Sequence, residues 1–326
     1  DVLRSGPGVD VALTQSPAMQ RALHLARQVA TSDATVLIRG ESGTGKGVLV
    51  RAIHAWSARA QKPLATVACP SLSAELLESE LFGHVKGAFT SAQRDNPGRL
   101  STCEGGTLLL DEIGDLPTSI QPKLLRFVQD REYERVGEHV TRRADVRVVT
   151  ATNVDLEKAV REGRFREDLL YRLNVIQIEL PPLRERGEDI LPLAGRMLAF
   201  FTRNGPRKVL GFTAEAEAAL RNHHWPGNIR ELRNAIERAL ILASGKVVTA
   251  ADIERLLPGA EILGAPPEAG QGHTFETFKQ EAEKGFLAQQ LRERDWNISE
   301  TARALKMPRS NLYKKIERYG LTRESA

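Results

Sequence analysis

One segment constrains the fold more than any other: an apolar run, Thr35–Arg39, leads directly into the glycine-rich stretch GESGTGKG at residues 40–47. An apolar, helix-like stretch begins near Val48. A strand, a glycine-rich turn and a helix in this order predict a phosphate-binding loop, in which backbone N–H groups and the helix N-terminus surround the phosphates, and Lys46 reaches the β- and γ-phosphates. We therefore assign nucleotide contacts to Gly40, Glu41, Ser42, Gly43, Thr44, Gly45, Lys46, Gly47 and Val48.

A second motif supplies groups that the loop itself lacks. The generic loop ends in Ser or Thr, whose hydroxyl binds Mg²⁺, and Gly47 stands in that place. The apolar strand Thr107–Leu110 runs into two adjacent carboxylates, which we interpret as Asp111 holding Mg²⁺ through water and Glu112 orienting the attacking water. A further strand ends at Asn153, whose amide is placed to sense the γ-phosphate. A solvated acidic turn is the alternative, and the upstream phosphate loop disfavours it.

Five short runs rich in Val, Ile or Leu alternate with helix-like stretches in the first part of the chain. Their continuous apolar character predicts a parallel sheet covered by helices on both faces, which is an α/β fold. The predicted strands are Thr35–Arg39, Leu64–Val67, Thr107–Leu110, Val146–Ala151 and Val175–Leu180. After Pro181-Pro182 only helices are predicted, at Ile190–Phe201, Ala214–His223, Asn228–Ala243 and Ala250–Leu257.

The composition changes mark the domain boundaries. A stretch rich in Gly and Pro without periodicity separates the helical subdomain from a final compact all-α unit. The predicted organisation is an N-terminal linker at 1–13, an α/β domain at 14–180, a helical lid subdomain at 181–258, a flexible linker at 259–273 and a DNA-binding domain at 274–326.

The bulk composition limits the class of protein. With 41% hydrophobic and 27% charged residues the chain is not mostly disordered. No apolar run approaches the ~18 residues of a membrane span, and the N-terminus has no pattern of a secretion signal. Cys69 and Cys103 are interpreted as two reduced core thiols, although one bridge is the alternative. We therefore expect a cytoplasmic protein without a membrane partner.

The last unit carries the pattern of a helix-turn-helix. Residues 297–305 predict one helix, Lys306-Met307-Pro308 a turn, and Arg309–Tyr319 a second helix, with Ala302, Leu305, Leu312 and Ile316 between them. Arg and Asn can contact bases, whereas lysines neutralise phosphates. The candidate DNA contacts are Arg309, Ser310, Asn311, Tyr313, Lys314 and Lys315. A purely structural helical hairpin is the alternative, and an upstream apolar stripe that begins at Phe275 fits either an intramolecular core or a dimer interface.

These residues resemble the AAA+ domain of σ54-dependent activators, the NtrC-like enhancer-binding proteins, followed by a Fis-type helix-turn-helix. The matching segments are GESGTGK (40–46), SELFGHVKGAF (79–89), GGTLLLDEIGDLP (105–117), QPKLLRFVQDREYERVG (121–137), FREDLLYRLNV (165–175), LPPLRER (180–186) and WPGNIRELRN (225–234). The sequence around Lys46-Gly47 resembles that of the AlgB-type branch of the family, which works in two-component systems.

The resemblance implies an activator that binds enhancer-like upstream DNA as a dimer through its C-terminal domain, forms a hexameric ring and uses ATP with Mg²⁺ to remodel σ54–RNA polymerase. By position, Arg166 and Arg172 resemble arginine fingers that reach a neighbour's γ-phosphate. Arg230 resembles a second nucleotide sensor, and Phe89 and Thr90 resemble the residues that contact σ54.

Two departures from the family pattern leave alternatives open. Ser91 stands where most members have Gly in the σ54-contacting loop, and Ala68 stands where they commonly have the Asn that restrains the catalytic Glu. One alternative is therefore a DNA-binding regulator of the same ancestry that no longer acts on σ54. Another is an unrelated AAA+ remodeller of a protein substrate, which the intact Phe89-Thr90 pair and the Fis-like end disfavour.

Overall fold

The computed structural model describes residues 14–90, 92–204, 209–242, 245, 247–254, 290–291, 296–304, 309, 311–312 and 315–316. The chain divides into two compact units, Asp1–Leu257 and Pro258–Ala326. The predicted linkers at 1–13 and 259–273 lie outside the described residues. Of the helices that are described, none has the length and apolar character needed to cross a membrane.

Within the described residues, five strands form one parallel sheet, and each end agrees with its predicted run to within one residue. The strands are β1 (Val36–Arg39), β2 (Leu64–Ala68), β3 (Thr107–Asp111), β6 (Arg147–Thr152) and β7 (Ile176–Glu179). Their order across the sheet is β2-β3-β6-β1-β7. The carboxyl ends of β1, β3 and β6 are therefore neighbours at one edge, where the nucleotide loop, the two carboxylates and Asn153 were predicted.

The sheet separates two apolar cores, because successive residues of each strand point to opposite faces. In β3, Leu108 and Leu110 belong to one core and Leu109 to the other. One face packs on α1 (Pro17–Ala30) and α2 (Lys46–Trp56). The other packs on α3 (Ala74–Phe82), α4 (Gly98–Thr102), α5 (Gln121–Asp130), α6 (Leu156–Arg161) and α7 (Glu167–Leu173). This is the predicted α/β layer arrangement.

One small element was not predicted. Strands β4 (Glu132–Tyr133) and β5 (Arg142–Arg143) form an antiparallel hairpin that is separate from the main sheet. Strands of two residues are too short to produce an alternating apolar pattern, so the sequence carried no signal for them.

The helical lid subdomain follows the sheet along the chain and has its own core. Its helices are α8 (Ile190–Asn204), α9 (Ala214–Asn222), α10 (Asn228–Leu242) and α11 (Ala250–Glu254). Trp225 is fully buried at their centre, and its Nε1 donates to the carbonyl oxygen of Leu220 at 2.9 Å. The turn before α10 is thereby held in place, and the N–H of Ile229 at the start of α10 donates to the carbonyl oxygen of Gly43 in the glycine-rich loop.

The C-terminal unit contains a helix at Ile298–Ala304 and helical residues at 309, 311–312 and 315–316. Ala302 and Leu312 are buried in one cluster with Leu291, and Ile316 packs against it. This confirms the predicted contact between the two helices at these positions. Leu305, the predicted turn at residues 306–308 and the apolar stripe from Phe275 lie outside the described residues.

Candidate nucleotide-binding site

The glycine-rich loop connects β1 to α2 at the carboxyl edge of the sheet. Gly43 and Gly45 have φ of +81° and +104°, a region that residues with a Cβ atom rarely adopt. At Gly43 space is limiting as well, because an added Cβ would lie 2.3 Å from the carbonyl oxygen of Gly227. Gly45 caps the N-terminus of α2, which begins at Lys46. The loop therefore has the shape and the helix N-terminus that phosphate binding requires.

Lys46 lies at the centre of the site with only 6% of its surface exposed. Its Nζ donates to the carbonyl oxygens of Gly40 at 2.9 Å and Glu41 at 3.3 Å, and it lies 3.4 Å from Oε1 of Glu112. The ammonium group is thus surrounded by oxygen acceptors from the loop and from Glu112.

Two carboxylates face Lys46 from the end of β3. Burial, reinforced by the neighbouring Glu112 carboxylate, raises the pKa of Asp111 above its ordinary value. Glu112 has a left-handed backbone, with φ of 54° and ψ of 53°. Its Oε2 accepts a hydrogen bond from the backbone N–H of Asn153 at 3.1 Å. Asn153 therefore contacts Glu112 through its main chain, while its side chain is exposed.

A cavity of about 310 Å³ opens between these groups and the first turns of α10. It is lined by Gly43, Gly45, Lys46, Gly47, Val48, Arg51, Asp111, Glu112, Ile229, Arg230 and Arg233. Arg51, Ile229 and Arg233 were not predicted as site residues. Arg51 lies one turn beyond Gly47 on α2, so the helical period carried a signal for it. The sequence carried no signal for Ile229 and Arg233, because only the fold brings α10 to this loop.

Four predicted loop residues contact other segments instead of lining the cavity. The Thr44 hydroxyl donates to the carbonyl oxygen of Glu41 at 2.8 Å, and the Thr44 carbonyl accepts from buried Arg186 at 2.9 Å. The first residue of the loop, Gly40, donates its N–H to the carbonyl oxygen of Thr152 at 3.2 Å. Glu41 contacts Arg184, in the segment between β7 and α8, and Ser42 contacts Arg230, near the start of α10.

Arg166 and Arg172 lie at the two ends of α7 and are exposed. Neither lines the cavity of its own chain. Arg166 forms a bidentate ion pair with Asp168 at 2.7 and 3.0 Å, which raises the pKa of the guanidinium and lowers that of the carboxylate. The pair is exposed to solvent, so it holds Arg166 only weakly.

The loop that carries Phe89 and Thr90 is fastened at its base to His84. The Phe89 ring packs edge-on against the His84 ring, with the centroids 4.8 Å apart. His84 Nε2 donates to the carbonyl oxygen of Arg94 at 2.9 Å, and its Nδ1 lies 2.6 Å from Oγ of Ser79. Thr90 is exposed, and Ser91 lies outside the described residues.

In the C-terminal unit, three of the six candidate DNA contacts are described. Arg309 and Asn311 are exposed, and Lys315 is half-buried. Ser310, Tyr313 and Lys314 lie outside the described residues.

Comparison with known proteins identifies all three parts of the chain. The Sigma-54 interaction domain profile matches residues 12–179, the AAA+ ATPase lid domain profile matches 184–263, and the profile of bacterial regulatory proteins of the Fis family matches 280–319.

Known relatives match the chain over nearly its whole length. The chain is 54% identical over 308 residues to the alginate biosynthesis transcriptional regulatory protein AlgB of Pseudomonas putida, covering 94% of the chain and 67% of that protein. It is 48% identical over 304 residues to the transcriptional regulatory protein ZraR of Escherichia coli, covering 93% and 68%. A crystal structure of NtrX from Brucella abortus in complex with ATP matches 95% of the chain and 69% of its own, with a TM-score of 0.68 and 35% identity.

Proposed function

Because the chain belongs to the σ54-dependent transcriptional activators, with their AAA+ domain, lid and Fis-type helix-turn-helix, we propose that it hydrolyses ATP to remodel σ54–RNA polymerase from upstream DNA sites. The observation that carries this proposal is that Lys46, Asp111 and Glu112 line one cavity. A cation, a Mg²⁺-binding carboxylate and a general base are the groups that phosphoryl transfer to water needs.

The cavity fits a nucleoside triphosphate. The phosphates replace the carbonyl oxygens of Gly40 and Glu41 as acceptors for Lys46 Nζ, and the N-terminus of α2 adds positive potential. Arg51, Arg230 and Arg233 add three guanidinium groups to the lining. Four cations therefore face the ligand against two carboxylates, a balance that favours a polyanion.

The same cavity fits Mg²⁺ held mainly by phosphates and water. Nowhere among the described residues do three or more His, Cys, Asp or Glu side chains gather as metal ligands. Of the two carboxylates in the lining, Glu112 is assigned to the attacking water, and Gly47 offers no hydroxyl, so we assign Asp111 to hold the ion through water. When bound, the ion neutralises charge that develops on the phosphate oxygens.

We assign Glu112 to accept a proton from the attacking water. Its carboxylate now accepts from the Asn153 N–H and faces Lys46, so it is held at the edge of the phosphate position. The left-handed backbone of Glu112 costs about 1–3 kcal/mol, which is typical of residues held for function. Through this hydrogen bond, Asn153 senses the nucleotide by its main chain.

Completion of the site requires a second copy of the chain. Arg166 and Arg172 are exposed and outside their own cavity, which suits arginine fingers that act on a neighbour's nucleotide. We therefore propose a ring, with six protomers as in the family resemblance, in which hydrolysis depends on assembly. The exposed Thr90 and the Phe89 beside it form the contact with σ54.

We assign DNA binding to the C-terminal unit. Arg309 and Asn311 are exposed and suited to base edges, and Lys315 to phosphates, with Ser310, Tyr313 and Lys314 assigned to the same surface from the sequence. A dimer of this unit would read a two-fold site. Because bacterial DNA and RNA polymerase are cytoplasmic, we place the protein there.

ATP hydrolysis with Glu112→Gln and Lys46→Ala tests the enzymatic part. Glu112→Gln should retain ATP binding and lose at least ~100-fold in turnover, because it cannot accept the proton. Lys46→Ala should lose binding as well. Phosphate release and calorimetric ATP binding measure the two effects. Full turnover by Glu112→Gln would contradict the assignment.

A further inference from the structure

The first half of the phosphate loop is held by two segments distant in sequence. One is the start of α10, and the other is the connector between β7 and α8. Glu41 forms a bidentate ion pair with Arg184 of the connector at 2.6 and 2.9 Å. Arg230 of α10 donates to the Ser42 hydroxyl at 2.7 Å. We call this set of contacts around residues 41–43 the loop clasp.

Asn228 is the residue at which the clasp converges. Its Oδ1 accepts from the N–H of Leu183 at 2.7 Å. Its Nδ2 donates to Oε2 of Glu41 at 3.1 Å and to the carbonyl oxygen of Ser42 at 3.0 Å. One amide thus joins the connector, the lid and the loop, and its oxygen and both its hydrogens are used.

The environment of Asn228 leaves little choice of residue. The side chain is 0% exposed, so no solvent can replace a lost partner. Its backbone has φ of 53°, which Asn and Gly tolerate better than other residues. Gly lacks the amide, and Asp lacks the donor. Only Asn satisfies the backbone conformation and all three hydrogen bonds together.

The backbones of the loop and the lid also interlock beside Asn228. The N–H of Ile229 donates to the carbonyl oxygen of Gly43 at 3.0 Å. Gly43 admits no side chain because the Gly227 carbonyl oxygen lies against it. A shift of the turn that contains Asn228 must therefore move the loop at the position where it borders the cavity.

We propose that Asn228 is a positioning residue for the nucleotide, whose buried amide locks residues 41–43 of the phosphate loop to the lid and the connector. It acts through the shape of the loop and not by contact with the cavity, which it does not line. The inference rests on the proposed nucleotide site. It adds a residue that lies outside the cavity and supports the shape of its loop.

The test is calorimetric binding of ADP to the full chain carrying Asn228→Gly, which keeps the left-handed backbone and removes the amide. We expect the Kd for ADP and the KM for ATP to rise together about tenfold, corresponding to about 1.4 kcal/mol. The kcat should stay within about twofold, because Lys46, Asp111 and Glu112 are unchanged. A merely structural defect would instead lower kcat and the melting temperature together.

Asn228→Asp is a second, isosteric variant, which tests the proposal if the glycine variant folds poorly. The new carboxylate would face Glu41, which is paired with Arg184. The other charged groups nearby are Arg230 and Glu231 on α10. Arg184 lowers the pKa of Glu41, so on acidification the new Asp takes up the proton and regains a donor. Its ADP affinity should therefore improve relative to Asn228→Gly as the pH falls.

The matched control is Asn234→Asp, an exposed position on the same helix, which should bind ADP as the wild type does. If wild-type protein binds ADP and both Asn228 variants bind it within twofold, the clasp has no role in positioning and the inference is wrong. If wild-type protein itself binds no ADP, the proposed function fails instead.

Discussion

Glu112 combines a left-handed backbone with a carboxylate that is tied to the Asn153 N–H and faces Lys46. In this arrangement the carboxylate has two competing partners before any nucleotide binds. The hydrogen bond from Asn153 links Glu112 to the end of β6, so movement of that strand end changes where the carboxylate points. In the proposed mechanism, hydrolysis is therefore controlled through the position of this one side chain.

Ala68 lies next to the residue that precedes Glu112, since it pairs with Asp111 in the parallel register of β2 and β3. An alanine side chain cannot hydrogen-bond, so position 68 offers no side-chain amide to the Glu112 carboxylate. We predict that Ala68→Asn lowers basal ATP turnover and changes its response to σ54, with the Kd for ATP within about twofold of wild type. Phosphate release with and without σ54 measures both effects.

Thr66→Asn is the matched control, because Thr66 is exposed and shares the strand face of Ala68. It should leave turnover and the σ54 response as in the wild type. Unchanged turnover and unchanged σ54 response in Ala68→Asn would show that this position has no part in control.

The loop between α3 and α4 is the element that presents Phe89 and Thr90. Its turn is closed by hydrogen bonds from Gly87 N–H to Ala92 O and from Ala92 N–H to Phe89 O, both 2.9 Å. His84 anchors the loop to α3 through Ser79 and supports the Phe89 ring. These contacts restrain the described part of the loop, which would reduce the entropy lost on binding a partner.

We predict that His84→Ala weakens binding to σ54 about tenfold or more and leaves basal ATP turnover within about twofold, because the loop must then be ordered on binding. His24→Ala, at an exposed position of α1, is the control. Fluorescence anisotropy of labelled σ54 measures the affinity. If His84→Ala bound σ54 with wild-type affinity, His84 would have no role in preparing the loop for σ54.

The sequence predicted the strands, the helices and the grouping of Lys46, Asp111 and Glu112 in one cavity better than it predicted the contacts between distant segments. The three central strands β1, β3 and β6 were found because both faces of the sheet are buried there and apolar residues dominate each run. The edge strands β2 and β7 are partly exposed and carried a weaker signal. Lys46 was predicted from the glycine-rich loop that follows β1, and Asp111 and Glu112 from the end of β3. The contacts of Asn228 were missed because its partners, Ser42 and Leu183, are far from it in sequence, and only the packed lid brings them together.

The whole molecule is proposed to work as an assembly, because the exposed Arg166 and Arg172 do not line their own cavity. We predict that Arg166→Ala and Glu112→Gln are each inactive alone and regain turnover when mixed. Random mixing pairs an intact Glu112 with an intact neighbouring Arg166 at about a quarter of the sites. Arg172→Ala should behave like Arg166→Ala.

Phosphate release from the mixtures, measured over a range of protein concentrations, checks this prediction. Arg161→Ala, at an exposed position near the end of α6, should be as active as the wild type. Turnover by Arg166→Ala and Arg172→Ala alone, or no gain on mixing, would contradict a site shared between protomers.

The most direct test of the whole account is open-complex formation on a σ54-dependent promoter with purified σ54–RNA polymerase and the full chain. The account predicts opening with hydrolysable ATP, and none with a non-hydrolysable analogue or with Glu112→Gln. Absence of opening, in a preparation that hydrolyses ATP and binds its DNA site, would contradict it and would favour a regulator that no longer acts on σ54.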